Sequence, residues 1–371
     1  MKSRWITVVL VALLAAFAAI ALAQETVGKT GTATSFASLK EVAVPAFPRV
    51  GAYEVLKCDF HIHTKHSDGD LTSVERVDEA VKNGYDAIAI TDHGTFKSYE
   101  EALPRANELG LVLIRGMETG LEEREHLVAL NLDPSYQPKN PHEWALTDGQ
   151  PKVFYQQQWP KLGKDAHAFV IYAHPHMGLS EPVLWAIKQG LVHGIEVKNG
   201  VVEKDWNTTN SHGTWFYPQA LDWAIEHNLT LFANSDMHET RNAKNSPATL
   251  VLAEKRTVDG VMDALRAGRT IAWFDGMLWG KQEILAQVMQ TAVTVSADGG
   301  KITIENKSPI ALTAALITDA PGATLTIKPG DLTTVPITAP VGEIAIRWEN
   351  LWVTSTTNLE TTYKLTPAAT E

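Results

Sequence analysis

The sequence predicts an α/β fold followed by a small all-β domain, and three observations lead there. From Tyr53 onward, short apolar runs alternate with amphipathic stretches, the order of a mainly parallel sheet, open or closed into a barrel. Near Lys281–Met289 that alternation stops, and short segments of alternating apolar and polar or β-branched residues follow between Pro-Gly and Gly-Gly turns. All 13 histidines fall between His61 and His238, so whatever they do belongs to the first region.

Taken in order, the chain opens with Lys2 and Arg4, then an almost wholly apolar run, Ile6–Leu22. Ala21-Leu22-Ala23 places small residues at both positions a signal peptidase reads, which predicts a cleavable export signal over 1–23. A run of roughly 17 apolar residues could just span a bilayer, but the cleavage site favours a periplasmic or secreted protein with no membrane anchor left after cleavage. Residues 24–49, rich in Thr, Ser, Ala and Pro, read as a lead-in segment.

The strands of the first domain, 50–284, are expected at Val55–Phe60, Ala87–Thr91, Leu111–Arg115, His126–Leu132, Phe169–Ala173, Gly194–Lys198 and Thr230–Ala233. Helices are expected between them. Thr72-Ser73-Val74-Glu75 is a capping box, and Gly84 stops that helix. Ser180 caps a helix ending at Gly190, Pro218 sits in the first turn of one running to Asn228, and Thr257 caps one ending near Gly268. In the second domain, 285–371, strands at Ala292–Ala297, Lys301–Asn306, Leu312–Thr318, Thr324–Ile327, Thr333–Ile337 and Glu343–Trp348 suggest a sandwich.

Composition narrows the function. With 371 residues, 44% hydrophobic and 20% charged, the chain can bury a sizeable core. A formal charge of −11 repels a phosphate backbone, so nucleic acid is not an expected partner. The single cysteine, Cys58, excludes an internal disulfide framework and a cysteine-based zinc knuckle. The sequence does not indicate an oligomeric state.

Five clusters carry the chemistry. His61-Ile62-His63 ends a strand, and a period of two puts both imidazoles on one face. Asp68 follows in a Ser-Asp-Gly turn. Thr91-Asp92-His93, Gly116-Met117-Glu118 with His126 beyond it, Ala173-His174-Pro175-His176 and Ser235-Asp236-Met237-His238 complete the series. Any one of these histidines is more often an ordinary interior or surface residue, but five clusters just after apolar runs are not. Active sites form at the C-terminal rim of a parallel barrel. Imidazole and carboxylate without thiolate suit Zn, Mn or Fe. His61, His63, Asp68, His93, Glu118, His126, His174, Asp236 and His238 exceed what one ion can use, so two or three divalent metals are expected.

In their order, His-x-His…Ser-Asp-Gly, Thr-Asp-His, Gly-x-Glu, Ala-His-Pro and Ser-Asp-x-His resemble the PHP family, named for polymerase and histidinol phosphatase. The likeness runs from about Tyr53 to Gly280. It implies a distorted seven-stranded β/α barrel, TIM-like, with a trinuclear metal centre and phosphoesterase activity. Carried over motif by motif, it implies that His61, His63, Glu118 and Asp236 hold one metal. Glu118 then bridges to a second, held also by His126 and His174, and Asp68, His93 and His238 hold the third. The export signal, the stretch Gly194–Gly200 and the all-β tail are most similar to the exported branch that hydrolyses organophosphate diesters.

The expected function is therefore an exported phosphodiesterase acting on small phosphoesters, with a hydroxide shared by the metals attacking phosphorus in line. The alternatives are a carbamate, ester or amide hydrolase on the same centre, or a non-enzymatic exported metal- or ligand-binding protein. Lys65, His66, Arg115, His176, His212 and Arg241 are candidates for neutralising phosphoryl oxygens or protonating the leaving alkoxide. Trp206, His212 and Trp215 lie in a long loop, 199–216, suited to shaping a pocket. Asp59 and Asp92 are expected to orient ligand imidazoles. Within the first ligand loop, Asp68 rather than His66 is expected to reach a metal, because Gly69 permits a tight turn there.

Overall fold

The cap predicted at Thr72 starts the first helix, α1 (Ser73–Lys82). Glu75 N–H donates to Thr72 Oγ1 at 3.3 Å, and Thr72 N–H donates to Glu75 Oε2 at 2.8 Å. The computed structural model describes residues 46–121, 125–136, 155–201, 215–239, 246–298, 300–317, 324–336 and 342–365, and all of these belong to one unit. The export signal, Trp206, His212 and Arg241 lie outside the described residues. Among the described residues, no helix is long and apolar enough to cross a membrane.

The main sheet is mixed. β1 (Glu54–Asp59), β2 (Ala87–Ile90) and β3 (Val112–Leu121) run parallel, with α1 and α2 (Lys97–Leu109) as crossovers. Every residue of β2, Ala-Ile-Ala-Ile, is buried, as a strand covered on both faces requires. β4 (Glu125–Leu130) then runs antiparallel to β3 and to β5 (Phe169–Tyr172). Three residues join β3 to β4, too few for the crossover that a parallel pairing needs. This hairpin departs from the expected strand–helix alternation.

α3 (Tyr155–Pro160) leads into a short π-helical turn before β5, and α4 (Glu181–Lys188) links β5 to β6 (Gly194–Asn199). β6 pairs in parallel with β5 and with β8 (Thr230–Asn234), and β7 (Trp215–Phe216) pairs with its far end. α5 (Gln219–Glu226) connects β7 to β8. A parallel bridge between Ile62 and Met237 ties the extension of β1 to that of β8.

Three strands not singled out in the sequence lie on the other side of β1. They are β9 (Ala248–Ala253), β10 (Thr270–Phe274) and β11 (Met277–Trp279), all antiparallel. Short apolar runs such as Ala-Thr-Leu-Val-Leu-Ala carry no periodicity that separates strand from helix. Ala253, ending β9, pairs with Glu54, starting β1. The next helix, α6 (Val258–Arg266), therefore covers the end of the sheet opposite the ligand residues. It packs Val261, Met262 and Leu265 against Leu56, Phe60 and Phe232.

α7 (Gln282–Ala292) precedes seven tail strands in two sheets. β12 (Val293–Asp298), β13 (Lys301–Asn306) and β16 (Leu332–Pro336) form one. β14 (Leu312–Ile317), β15 (Thr324–Ile327), β17 (Glu343–Trp352) and β18 (Asn358–Lys364) form the other. β17 continues the main sheet by pairing in parallel with β11, Leu278 to Leu351 and Trp279 to Trp352. Trp348, Ile302, Ile304 and Ile346 share one core with Leu285, Val288 and Met289 of α7 and with Leu250 and Leu252 of β9. The α/β class and the all-β region after it are as the sequence predicts.

Candidate metal centre

Beyond Asp59, the chain stays extended through Phe60, His61, Ile62 and His63. Phe60 enters the core with Phe232, and Ile62 enters a second cluster with Ile90 and Met237. Alternation leaves His61 and His63 together, both fully buried. His93 follows β2 and bridges in parallel to Glu118. Glu118 sits within β3. His126 lies near the start of β4, opposite Gly120. Because β4 runs antiparallel, its beginning stands at the rim where the parallel strands end. His174 follows β5, while Asp236 and His238 follow β8. His174 and Asp236 take left-handed backbone angles, φ 26° and 48°, a conformation that gathers at functional sites.

With Asp68 of the loop after His63, these residues form three overlapping groups: His61, His63, Glu118 and Asp236; Glu118, His126 and His174; and His63, Asp68, His93 and His238. All nine sequence-predicted ligands are in them. His63 joins the third group as well as the first, which motif order alone does not indicate.

In the first group, His61 Nε2 and His63 Nε2 each lie 3.1 Å from Glu118 Oε2 and 3.3 and 3.1 Å from Asp236 Oδ1. His61 Nε2, His63 Nε2 and Asp236 Oδ1 are buried without a hydrogen-bond partner. Orphaned buried polar atoms are rare and call for an explanation. Bonds of about 2.0–2.1 Å from a tetrahedral ion place its ligand atoms roughly 3.3 Å apart, the spacing found here. The donor set fits a divalent metal.

Glu118 offers its other oxygen to the second group. Oε1 is 2.8 Å from His126 Nδ1 and 3.2 Å from His174 Nε2. The third group gathers on Asp68, which lies 3.3 Å from His63 Nδ1, 3.5 Å from His93 Nε2 and 3.3 Å from His238 Nε2. Burial pushes the Glu118 carboxyl up, but His61 and His93, with hydrogen bonds to His126 and His174, hold it well below the usual range. Burial likewise opposes a charged His61, yet Asp236, Glu118 and Glu196 raise it well above the ordinary histidine range.

Glu196, on β6, is the residue that sequence reasoning missed. It is fully buried. Its Oε1 takes His61 Nδ1 at 3.0 Å and Asn234 Nδ2 at 2.9 Å. Its Oε2 accepts from His174 N–H at 2.8 Å and from Asn199 Nδ2 at 3.0 Å. A carboxylate on Nδ1–H leaves the Nε2 lone pair of His61 free for a metal. Asn199 also donates to Asp236 Oδ2 at 3.1 Å. The only sequence signal was a carboxylate flanked by Ile195 and Val197 in a predicted strand.

Asp59 and Asp92 play different parts from those expected. Asp92 takes Thr64 N–H and Oγ1, both at 2.6 Å, and Ser67 Oγ at 2.7 Å, so it fastens the ligand loop. Asp59 accepts from the backbone N–H of His61 at 3.3 Å and of Ser235 at 3.1 Å, and burial pushes its carboxyl up to about 6. Asp59 thus orients backbone, whereas Asp92 holds one backbone N–H and two hydroxyls of the ligand loop. Gly69 also differs from expectation. Its φ is not left-handed; a Cβ there would stand 2.5 Å from His63 C and O. Close approach, not turn geometry, requires glycine.

Among the other candidates, His66 turns away from the ligands and pairs with Glu101 of α2, Nε2 to Oε2 at 2.7 Å. Arg115 lies over the Phe96 ring, 4.1 Å from its centroid, and reaches the Asp133 carbonyl, so it serves the wall outside the site. Lys65 is exposed in the ligand loop. His176 stands beside His174, with ring centroids 5.2 Å apart.

Residues 59–140 match the PHP domain family. A 5'-3' exoribonuclease of Haemophilus influenzae is 40% identical over 110 residues, covering 29% of this chain and 38% of the relative. A 3',5'-nucleoside bisphosphate phosphatase of Chromobacterium violaceum is 32% identical over 80 residues, 21% of this chain and 28% of the relative. The chain thus spans well under half of either. The structure of a two-domain protein from Bacteroides vulgatus, containing a predicted PHP-like metal-dependent phosphoesterase, shares the fold. It aligns with a TM-score of 0.71 and 24% identity over 86% of this chain and 97% of its own.

Proposed function

We propose that this protein, which carries a PHP domain, is a metal-dependent phosphoesterase that cleaves small organophosphate esters, diesters foremost, outside the cytoplasm. The observation that carries this reading is the sharing of Glu118 and His63 between three ligand groups. Both relatives are named for cleaving phosphoric esters, which supports phosphorus as the electrophile. The path through β1 to β6 and β8, with the Ile62–Met237 bridge, supports a closed barrel of seven strands. The apolar run Ile6–Leu22 before Ala21-Leu22-Ala23 supports export.

Three divalent ions, Zn, Mn or Fe, would be held by the three groups, and bound metals of this kind acidify water and neutralise phosphoryl oxygens. The chain's own residues prepare that chemistry. Glu118 spans two groups with its two oxygens, which sets their separation. Glu196 keeps the proton of His61 on Nδ1, away from the centre. Asp92 pins Thr64 and Ser67, so Asp68 is presented by a tethered loop.

Metal analysis of the purified protein, combined with phosphomonoesters, phosphodiesters and a naphthyl carbamate, tests the reading. The expected result is two to three metal equivalents and turnover of phosphodiesters above the others. Turnover of the carbamate alone would move the function to carbonyl hydrolysis. Bound metal without turnover of any substrate would favour a binding protein.

A further inference from the structure

β7 and the residue after it carry two aromatic rings, Trp215 and Tyr217, to the edge of the metal centre. The register of β7 on β6 sets Trp215 opposite Asn199 and Phe216 opposite Lys198, and Tyr217 N–H then donates to Val197 O at 2.8 Å. Successive strand residues face opposite ways, and the contacts follow that rule. Phe216 enters the core, with ring centroids 5.4 Å from Phe274 and 5.1 Å from Trp279. Trp215 takes the other face, its ring 4.0 Å from His176 and 5.3 Å from His174. Tyr217 shares that face, its hydroxyl 2.7 Å from His176 Nδ1. The three side chains stand beside the Glu118–His126–His174 group and contribute no ligand atom to it.

We propose that Trp215, with His176 and Tyr217, is the subsite for the organic group of the ester, and that it selects a planar aromatic group over an aliphatic one of equal size. The inference rests on the phosphoesterase reading. A phosphoryl group held by the second ligand group has its substituents within reach of this wall, since Trp215 lies 5.3 Å and His176 5.2 Å from the His174 ring. An indole beside an imidazole presents a π-face and edge that a flat ring can meet in offset or edge-to-face contact, while a saturated ring cannot. The β6–β7 pairing holds the backbone of the wall and Tyr217 holds His176, which lowers the ordering cost of binding.

Benzyl and cyclohexylmethyl phosphoesters test this, because their alkoxides have similar basicity and size and differ in the flat ring. The benzyl- and cyclohexylmethylphosphonates, which cannot be hydrolysed, report binding independently of turnover. The expected result for the wild-type protein loaded with metal is a benzyl preference in kcat/KM and in phosphonate affinity of roughly tenfold, the scale of one aromatic stack. Trp215→Leu should abolish the preference at unchanged metal content, and Trp215→Phe should keep most of it. A wild-type protein without that preference in either phosphonate affinity or kcat/KM overturns the proposal, whatever the variants do. So does a Trp215→Leu protein that keeps the preference. Absence of turnover on both esters, with the phosphonate preference intact and lost in Trp215→Leu, would sink the phosphoesterase reading and leave the aromatic subsite standing.

Discussion

Replacing Glu196 by glutamine changes one oxygen into an NH2 group and leaves the shape nearly alone. The carboxylate meets four donors, two at each oxygen: His61 Nδ1 and Asn234 Nδ2 at Oε1, and His174 N and Asn199 Nδ2 at Oε2. A glutamine satisfies only one pair. With its NH2 toward His174 and Asn199, the backbone N–H of His174 has no acceptor, and a backbone donor cannot be turned. With its NH2 toward His61, the imidazole must move its proton to Nε2, where Asp236 Oδ1 and Glu118 Oε2 wait at 3.3 and 3.1 Å, and that nitrogen is lost as a ligand. The first arrangement costs about 1–3 kcal/mol for one unmet buried donor. The second costs metal affinity, on the order of 10–100-fold for a lost partner of a ligating histidine. Competition with a chelator of known affinity, beside urea unfolding of the metal-free protein, reads both. The expected outcome is weaker metal binding, lower stability, or a share of each. A Glu196→Gln protein matching wild type in both measurements would refute the argument that this carboxylate sets the tautomer of His61.

Glu118→Gln removes the oxygen charge shared by two ligand groups, so metal content should fall together with rate; full occupancy beside near-normal turnover would contradict the bridging role. Asp68→Ala should lose about one metal equivalent and on the order of 10² or more in rate. His66→Ala should keep every metal, since its ring is taken by Glu101, and the reverse pattern in elemental analysis would show the loop assigned the wrong way round. Gly69→Ala drives a Cβ to 2.5 Å from the His63 carbonyl and 2.7 Å from Thr64 N. It should displace His63 and Asp68 together and release metal, and a variant crystal structure with both residues unmoved would rule this out.

Much of this centre was legible because its chemistry is written locally. Metal donors follow directly on apolar runs, so His61, His63, His93, His174, Asp236 and His238 stand out where strands end. The capping box at Thr72 is equally local, and it formed as read. Neighbours along the chain part company where the backbone turns between them. His66 and Asp68 are two residues apart, yet one faces Glu101 and the other His63 and His238. His126 follows Glu118 by only eight residues, and the hairpin that sets it opposite Gly120 brings its Nδ1 to 2.8 Å from Glu118 Oε1.

The sequence by itself determined which atoms could bind metal, that they are nitrogens and oxygens without a thiolate, and that they recur at strand ends. Only the tertiary structure decided which of them share an ion and what holds them. Glu196 reads as an ordinary strand carboxylate until residues 61, 174 and 234 close around it. His63 enters two groups because both its ring nitrogens face carboxylates, Nε2 toward Glu118 and Asp236 and Nδ1 toward Asp68. The physical reason is that donor chemistry is a property of one residue, whereas a buried hydrogen bond or a shared ligand is set by atoms brought within about 3 Å from distant parts of the chain, and no local pattern encodes that distance.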